Sequence, residues 1–271
     1  MSTGLNTQFL FDHLPDIATR VCERPHVLLF LDYDGTLAPI HEDPGRASMP
    51  AATRTAIKRL SAGKRFSVAI ISGRALPDLR ERVRLDELIF AGNHGLEILA
   101  PAMHFIEPSA ARMAEELEGL SRHLQVRLRH IPGAEVEHKV LSASIHFRRA
   151  PEDCLKEIHR AVQSEVAPFE SLFQVSQGLK VFEIRPRVNW HKGNAVRWIL
   201  EATGDPNTLG VYVGDDLTDE DAFSMLPEGV TVRVGNNANT AAQYCIPKQE
   251  SVQEFLAWLA ELPEAGQAAT A

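Results

Sequence analysis

The stretch VLLFLDYDGTLAPI, residues 27–40, joins a run of apolar residues directly to two aspartates. An apolar run of this length is typical of a strand buried on both faces in a parallel sheet. Asp32 and Asp34 follow it, and Gly35 predicts a turn. Taken alone, the stretch is compatible with an ordinary turn, since turns favour Asp and Gly. Two carboxylates about 4 Å apart repel by about 4 kcal/mol at an effective dielectric of 20, so a functional site here requires a partner for them.

Short apolar runs of the same kind recur, and helical patterns lie between them. The predicted strands are 27–31, 66–71, 88–91, 209–213 and 230–234, and the predicted helices are 51–62, 75–83, 192–203 and 219–226. This alternation predicts an α/β fold with a mainly parallel sheet flanked by helices. Sites in such sheets lie beyond the carboxyl ends of the strands, where Asp32, Ser72, Asn93 and Asp215 are expected.

The middle of the chain breaks the alternation. Residues 108–180 predict a helix, an alternating strand in LSASIHFRR (141–149), a second helix and two further strands. Strict alternation indicates a sheet with one buried face. We expect residues 106–185 to form a smaller inserted α/β domain, and residues 1–105 and 186–271 to form the main domain. The small polar residues after Pro263 predict a frayed tail.

Composition limits the classes of partner. The net charge of −8 argues against nucleic acid and anionic membranes. Three scattered cysteines indicate free thiols in a reducing compartment. Neither a leader nor a stretch long enough to span a bilayer is expected. The prediction is a cytoplasmic protein, a monomer or weak homo-oligomer, that acts on a small molecule.

Four motifs follow predicted strands or begin predicted helices. They are DYDGT at 32–36, SGR at 72–74, HKGNA at 191–195 and GDDLTDED at 214–221. Each alone has an ordinary structural explanation: a turn, a helix cap, a surface lysine, or an acidic helix start. Together their aspartates would converge on one cleft, which requires a cation. Carboxylate oxygens with room for water and a phosphate oxygen suit Mg²⁺.

With a metal present, these residues predict phosphoryl transfer. Asp32 can attack phosphorus as a nucleophile, and Asp34 can protonate the leaving oxygen and then activate water. The Ser72 hydroxyl and nearby backbone N–H groups, with Lys192, can hold the phosphoryl oxygens.

This ordered set of motifs resembles the haloacid dehalogenase (HAD) superfamily of phosphohydrolases, whose hallmark is D-x-D-x-T, then Ser/Thr, then Lys, then an acidic motif. The resemblance implies a Rossmann-like core and, for residues 106–185, a C2-type cap that selects substrate. It also implies a metal site at the Asp32 side chain, the Asp34 carbonyl and Asp215. Asp216 and Asp219 would support that site.

Three further stretches resemble trehalose-6-phosphate phosphatases: VEHKVLSASIHFR at 136–148, GLKVFEIRPRVNWHKGNA at 178–195 and GNHGLEI at 92–98. The resemblance implies a phosphatase of the trehalose biosynthesis type. The implied substrate-binding residues are Gly73, Glu137, Lys139, Arg148 and Glu183, with Arg148 reaching the phosphate as the cap closes.

The sequence departs from that family in two places. Val140 stands where a glycine is common, and Leu179 stands where a lysine is common, with Lys180 one place later. By strand alternation, Lys180 is expected on the face opposite Glu183.

Two alternatives remain open. The same core chemistry would serve a sucrose-, mannosylglycerate- or hexose-phosphate phosphatase, although the cap motifs favour trehalose. A phospho-accepting regulatory module also places Asp and Lys near Mg²⁺, but it is shorter and lacks the acid that Asp34 supplies.

Overall fold

The computed structural model describes residues 7–41, 44–178, 180–236 and 239–263. They form two compact units, one within 1–104 and 190–271 and the other within 105–189. The roles predicted for the two segments, catalytic core and substrate-selecting cap, stay predictions. No helix in the described ranges combines the length and apolarity needed to cross a bilayer.

The strands are β1 (Gln8–Phe9), β2 (Val27–Asp32), β3 (Phe66–Ile71), β4 (Ile89–Gly92), β5 (Glu97–Ala100), β6 (Met103–Ile106), β7 (Glu135–His138), β8 (Ala143–His146), β9 (Phe173–Gly178), β10 (Val181–Pro186), β11 (Leu209–Gly214), β12 (Val230–Val234) and β13 (Tyr244–Ile246). The α-helices are α1 (Leu14–Cys22), α2 (Ala51–Ala62), α3 (Leu76–Val83), α4 (Pro108–Arg112), α5 (Ala114–Leu128), α6 (Leu155–Val166), α7 (Lys192–Thr203), α8 (Glu220–Met225) and α9 (Glu250–Leu259).

The larger sheet runs β1-β13-β12-β11-β2-β3-β4-β5-β6 through the described residues. In this spatial order, every neighbouring pair between β1 and β4 is parallel. The next pair, β4 with β5, is antiparallel. The strand β2 lies between β11 and β3, so the strand order reverses there. Ligands of open α/β sheets bind beyond the carboxyl ends of the strands at such a switch point. The predicted mainly parallel α/β fold is confirmed.

Helices cover both faces of this sheet because β2 is apolar on both. Leu29 and Leu31 belong to one core cluster with residues of α2 and α9. Phe30 points to the other face, where it stacks on Tyr212, and Tyr212 contacts Phe223 of α8 edge-on. Every side chain of β2 is buried as a result, which explains the continuous apolar run in the sequence.

The second unit contains an antiparallel sheet in the order β7-β8-β10-β9. One face packs on α5 and α6 through a core that includes Leu124, Ile145, Ile158 and Ile184. Alternation along β8 and β10 places polar side chains on the other face.

This sheet differs in detail from the expectation. Two strands, β7 and β8, precede α6 where one was predicted, and β8 is shorter than LSASIHFRR. The strand β7 reads EVEH, too polar for an apolar pattern to reveal it. Ser142 and Ser144 are polar but buried, with 4% and 1% of their surface exposed. The predicted tail after Pro263 and the departure at Leu179 lie outside the described residues.

Two turns of the second unit contain non-glycine residues with a positive φ. Val140 (φ +68°) lies in the turn between β7 and β8, which the Lys139 N–H closes by donating to the Ser142 carbonyl. Lys180 (φ +63°) lies in the turn before β10. Lys180 lies outside both neighbouring strands, so strand alternation cannot assign it a face, and its position opposite Glu183 stays a prediction. A β-branched residue in this conformation is strained.

We expect Val140→Gly to stabilise the protein by about 1 kcal/mol, because glycine adopts a positive φ without strain. Val140 is 56% exposed, so little packing is lost. The measurement is the midpoint of thermal unfolding. The matched control is Val126→Gly in α5, also exposed, which should lower the midpoint because glycine weakens helices. A Val140→Gly midpoint at or below the wild-type value would contradict the assignment of strain.

Candidate active site

The carboxyl edge of the larger sheet contains a buried lysine between two carboxylates. Lys192 Nζ donates to Asp32 Oδ1 and to Asp219 Oδ1, each at 2.7 Å. The lysine is 2% exposed, Asp32 4% and Asp219 fully buried. These residues come from the end of β2, the start of α7 and the turn after β11. A buried ammonium ion is tolerated only with such partners.

Local sequence explains how α7 presents this lysine. The helix begins at Lys192 because the His191 N–H donates to the Asn194 side chain in a capping box. Gly193 lets the helix approach α8, since a Cβ there would lie 2.5 Å from the Asp221 carbonyl oxygen. The lysine is therefore positioned at the first turn of a helix that packs tightly on its neighbour.

Asp215 completes an acidic cluster with Asp32 and Asp219. One carboxylate oxygen from each of the three lies within 4.8 Å of the others. Thr36 Oγ1 donates to Asp215 Oδ1 at 3.1 Å. Gly35 is required in DYDGT, because its φ is +86° and a Cβ would lie 2.1 Å from Asp215 Oδ2. The predicted convergence of the first and last motifs is thus present in the structure.

The cluster carries more negative charge than its lysine balances. Burial raises the pKa of Asp32 well above its ordinary value, although the Lys192 ammonium acts in the opposite direction. Burial and the Asp219 carboxylate raise the pKa of Asp215 to about 6. A cation among these oxygens would remove the penalty, and an all-oxygen donor set suits a hard divalent metal.

Lys192 itself stays charged. Burial opposes its charge, but the carboxylates of Asp219 and Asp32 outweigh burial and raise its pKa. Asp219 is the residue that fixes this lysine: its Oδ1 also accepts from the Tyr212 hydroxyl at 2.7 Å, and its Oδ2 accepts from the Asp216 N–H at 2.9 Å.

The other residue expected in support, Asp216, has a different position. It is exposed, and its side chain accepts from the Leu217 N–H at 2.7 Å as a helix cap. Sequence spacing alone could not separate it from Asp219, since both are aspartates of one motif. The sequence did not reveal that the Tyr212 hydroxyl, three residues before Asp215, contributes to the site, because the apolar pattern there predicts a strand that is buried throughout.

The second aspartate of the first motif, Asp34, is held by an arginine. Arg74 Nε donates to Asp34 Oδ2 at 2.7 Å and Arg74 Nη2 donates to Asp34 Oδ1 at 2.6 Å. The role of Arg74 was missed from the sequence, although it belongs to the SGR motif. The available signal was Asp78, four residues later in α3, which accepts from Arg74 Nη1 at 2.8 Å.

Ser72 and Gly73 form a tight turn after β3. Ser72 is 1% exposed, and its Oγ accepts from the Arg74 N–H at 3.1 Å. Gly73 lies against His94, since a Cβ at position 73 would meet that ring at 2.7 Å. Substitution of Gly73 would therefore displace a buried histidine.

A strained loop after β4 fixes this turn. Asn93 (φ +51°), His94 (φ +58°) and Gly95 (φ +90°) are all left-handed. The Asn93 N–H donates to the Arg74 carbonyl at 2.8 Å, and the His94 N–H donates to the Ser72 carbonyl at 2.9 Å. Such strain is commonly found at functional sites. Asn93 was expected at this edge, and the structure places it there.

The remaining candidate residues belong to the second unit. Glu137 and Glu183 flank Ser144 on either side in the sheet register, so all three share one face. Glu137 Oε2 contacts His146 Nε2 at 2.8 Å, a partner the sequence did not reveal. The strands that carry the two glutamates lie about 10 Å apart.

Lys139 and Arg148 differ in exposure. Lys139 is 7% exposed, with its Nζ 3.9 Å from Glu137 Oε2. Arg148 lies two residues beyond β8 and is exposed. Polar and charged groups of both signs thus lie on or beside one face of this sheet.

Solved structures share this architecture. The C-terminal domain of the Candida albicans trehalose-6-phosphate phosphatase superposes with a TM-score of 0.75 at 23% identity, covering 97% of this chain and 100% of that one. The Aspergillus fumigatus trehalose-6-phosphate phosphatase has a TM-score of 0.62 at 28% identity, covering 94% and 99%. Fold and acidic site together define a hydrolase with a HAD-like fold.

Sequence comparison identifies the family. The family model for trehalose-phosphatase matches residues 30–255. A probable trehalose-phosphate phosphatase I of Arabidopsis thaliana is 38% identical over 252 residues, covering 87% of this chain and 68% of that protein. The trehalose-phosphate phosphatase of Mycobacterium marinum is 37% identical over 245 residues, covering 87% and 62%. The chain belongs to the trehalose-phosphatase family of enzymes, as its motifs predicted.

We expect Asp215→Asn to stabilise the metal-free protein at neutral pH. Because the pKa of Asp215 is about 6 in the folded protein and its ordinary value is 3.8, folding favours the protonated carboxyl. Its contribution to stability is present below pH 3.8 and is lost as pH rises through about 6. The neutral amide should therefore raise the free energy of unfolding by about 1 to 3 kcal/mol at pH 7.5.

The measurement is thermal unfolding at several pH values in a chelating buffer. The difference between variant and wild type should shrink as pH falls toward 4. The control is Asp86→Asn, which removes the same charge at an exposed carboxylate. Equal effects of the two substitutions would contradict an origin in the buried cluster.

Proposed function

We propose that this protein hydrolyses trehalose 6-phosphate to trehalose and inorganic phosphate through an aspartyl-phosphate on Asp32. One observation carries the proposal: the buried Asp32–Lys192–Asp219 arrangement, with Asp215 beside it, in a chain of the trehalose-phosphatase family. A carboxylate fixed beside a permanent positive charge is suited to attack an anionic phosphorus centre.

The chemistry proceeds in two displacements at phosphorus. An Asp32 oxygen forms a bond to phosphorus while the bond to the sugar oxygen breaks, and the Asp34 carboxyl gives its proton to that oxygen. Water then attacks the phosphorus of the aspartyl-phosphate, Asp34 accepts a proton from it, and Asp32 and inorganic phosphate are released. Ser72, the Gly73 N–H and the Lys192 ammonium would hold the phosphoryl oxygens.

Mg²⁺ fits the acidic cluster. The Asp32 carboxylate, the Asp34 carbonyl and the Asp215 carboxylate are the groups that would hold it. The metal would neutralise charge on the phosphoryl oxygens and among the carboxylates. The raised pKa values of Asp32 and Asp215 support this assignment, since a bound cation would stabilise the ionised form of both carboxylates.

The second unit, residues 105–189, is proposed as the cap that selects the substrate. Glu137, Lys139 and Glu183 would contact sugar hydroxyls, which both donate and accept hydrogen bonds. Arg148 would reach the phosphate. The common face of Glu137 and Glu183 and the exposure of Arg148 support these roles.

The decisive experiment measures phosphate release from trehalose 6-phosphate, sucrose 6-phosphate, glucose 6-phosphate and mannosylglycerate phosphate, with and without Mg²⁺. The proposal expects Mg²⁺-dependent release with a kcat/KM for trehalose 6-phosphate at least about tenfold above the others. Equal values for trehalose 6-phosphate and glucose 6-phosphate would contradict the substrate assignment.

Asp32→Asn should abolish turnover even at saturating Mg²⁺, because an amide cannot form the phosphoenzyme. Phosphate release is the measurement, and thermal unfolding controls for loss of fold at the Lys192 contact. Asp86→Asn, with an exposed carboxylate, is the matched control and should retain wild-type turnover. Substantial turnover by Asp32→Asn would exclude this residue as nucleophile.

Glu137→Ala and Glu183→Ala should each lower kcat/KM for trehalose 6-phosphate by about tenfold or more, the effect of losing one charged hydrogen bond. Hydrolysis of 4-nitrophenyl phosphate, which has no sugar, should be unaffected. Glu157→Ala serves as the control, because Glu157 lies on α6, which packs against the other face of the cap sheet. Parallel losses on both substrates would exclude a sugar-binding role.

A further inference from the structure

Arg74 forms a bidentate hydrogen-bonded ion pair with Asp34, in which two guanidinium nitrogens donate to the two carboxylate oxygens at 2.6 and 2.7 Å. Bidentate arginine–carboxylate pairs fix geometry as well as charge. Each carboxylate oxygen has two lone pairs, and the bidentate pair with Arg74 occupies one lone pair on each oxygen. The carboxylate therefore keeps a position on each oxygen for a proton or a substrate atom while Arg74 stays bound.

The two partners differ in exposure in a way that indicates their roles. The Arg74 side chain is 11% exposed, whereas the Asp34 side chain is 39% exposed. The guanidinium thus forms a buried support, and the carboxylate is accessible to a bound molecule. An arginine that itself bound substrate would be expected to be the more exposed of the two.

Arg74 is anchored from other directions. Its Nη1 donates to Asp78 Oδ2 at 2.8 Å, and its guanidinium carbon lies 5.5 Å from the centre of the Tyr33 ring. Asp78 also accepts from Arg82 Nε at 2.9 Å, and Arg82 Nη1 donates to the Ala47 carbonyl at 2.8 Å. The backbone on either side is held as well, since the Arg74 carbonyl accepts from the Asn93 N–H. Arg74 has little freedom to move.

We propose that Arg74 is a positioning residue that orients the Asp34 carboxyl toward the departing oxygen of the substrate. This inference rests on the proposed function, in which the bond from phosphorus to the leaving oxygen breaks as that oxygen takes the proton of Asp34. Arg74 does not touch the reacting atoms. It restricts rotation of the Asp34 side chain, which lies at an accessible position.

A residue that positions Asp34 should affect how kcat/KM depends on the leaving group, whereas a residue that only stabilises the fold should not. Proton donation matters most when the leaving group is a strong base, as a sugar alkoxide is, and little when it is a weak base such as 4-nitrophenolate. The value of kcat/KM reports the steps up to departure of that group. Misplaced Asp34 should therefore steepen the decline of kcat/KM as the pKa of the leaving alcohol or phenol rises.

The experiment uses the full-length enzyme with Mg²⁺ and a series of aryl phosphates from 4-nitrophenyl to phenyl phosphate, together with trehalose 6-phosphate. Arg74→Lys retains the charge, but a single ammonium cannot hold both oxygens in a fixed plane. We expect less than about threefold loss with 4-nitrophenyl phosphate and about tenfold to a hundredfold loss with phenyl and sugar phosphates, toward the general-acid contribution of 10²–10⁴. Asp34→Asn should give the steepest dependence.

The matched control is Arg80→Lys, the same substitution at a nearby arginine, which lies in α3 and contacts Asp86. Its dependence on the leaving group should parallel the wild type. Should Arg74→Lys fail to fold in a thermal unfolding assay, Asp78→Asn takes its place, since it weakens the anchor and leaves Arg74 present. For Asp78→Asn, the slope of log kcat/KM against the pKa of the leaving group should fall between the slopes of the wild type and Asp34→Asn.

An equal loss across all leaving groups would overturn the proposal and leave Arg74 a structural residue. The proposed function is tested separately by the wild type. If the wild type hydrolyses aryl phosphates but not trehalose 6-phosphate, the substrate assignment fails while a steeper slope for Arg74→Lys still supports the positioning role. If trehalose 6-phosphate is hydrolysed and the slope is unchanged, only the role of Arg74 fails.

Discussion

The buried contact of Lys192 with Asp32 and Asp219 is the constraint on which the site depends. The free energy needed to bury one ammonium ion without partners would exceed the free energy of unfolding of an ordinary domain. The contact joins three segments that lie far apart in sequence. It exists only when β2, β11 and α7 are all correctly packed, so fold and site are coupled through it.

The same cluster carries a negative charge that the protein's own groups do not balance. Three carboxylates lie close together, one lysine contacts two of them, and burial raises the pKa values of Asp32 and Asp215. The fold maintains this unfavourable charge through tightly packed surroundings, in which Gly35 leaves no room for a side chain next to Asp215. A site that binds a cation has this property, because the cation supplies the positive charge that the protein omits.

Backbone strain is concentrated at the same edge of the sheet. Asn93 and His94 adopt left-handed conformations, and their N–H groups bind the turn that carries Ser72 and Arg74. Arg74 in turn holds Asp34. A continuous set of hydrogen bonds therefore runs from a strained loop to the proposed acid, which gives a small polar site the rigidity that catalysis requires.

The amino-acid sequence by itself determined the parallel sheet, the helices at 51–62 and 192–203, and the order of the motifs, because apolar runs and helical spacing are local signals. Tertiary structure alone distinguished Asp219 from Asp216 and paired Arg74 with Asp34. It also showed β7 and the strained turn at Val140. Those features depend on which distant groups approach each side chain, and on strands too short or too polar to leave a pattern. No periodicity in one chain encodes that information.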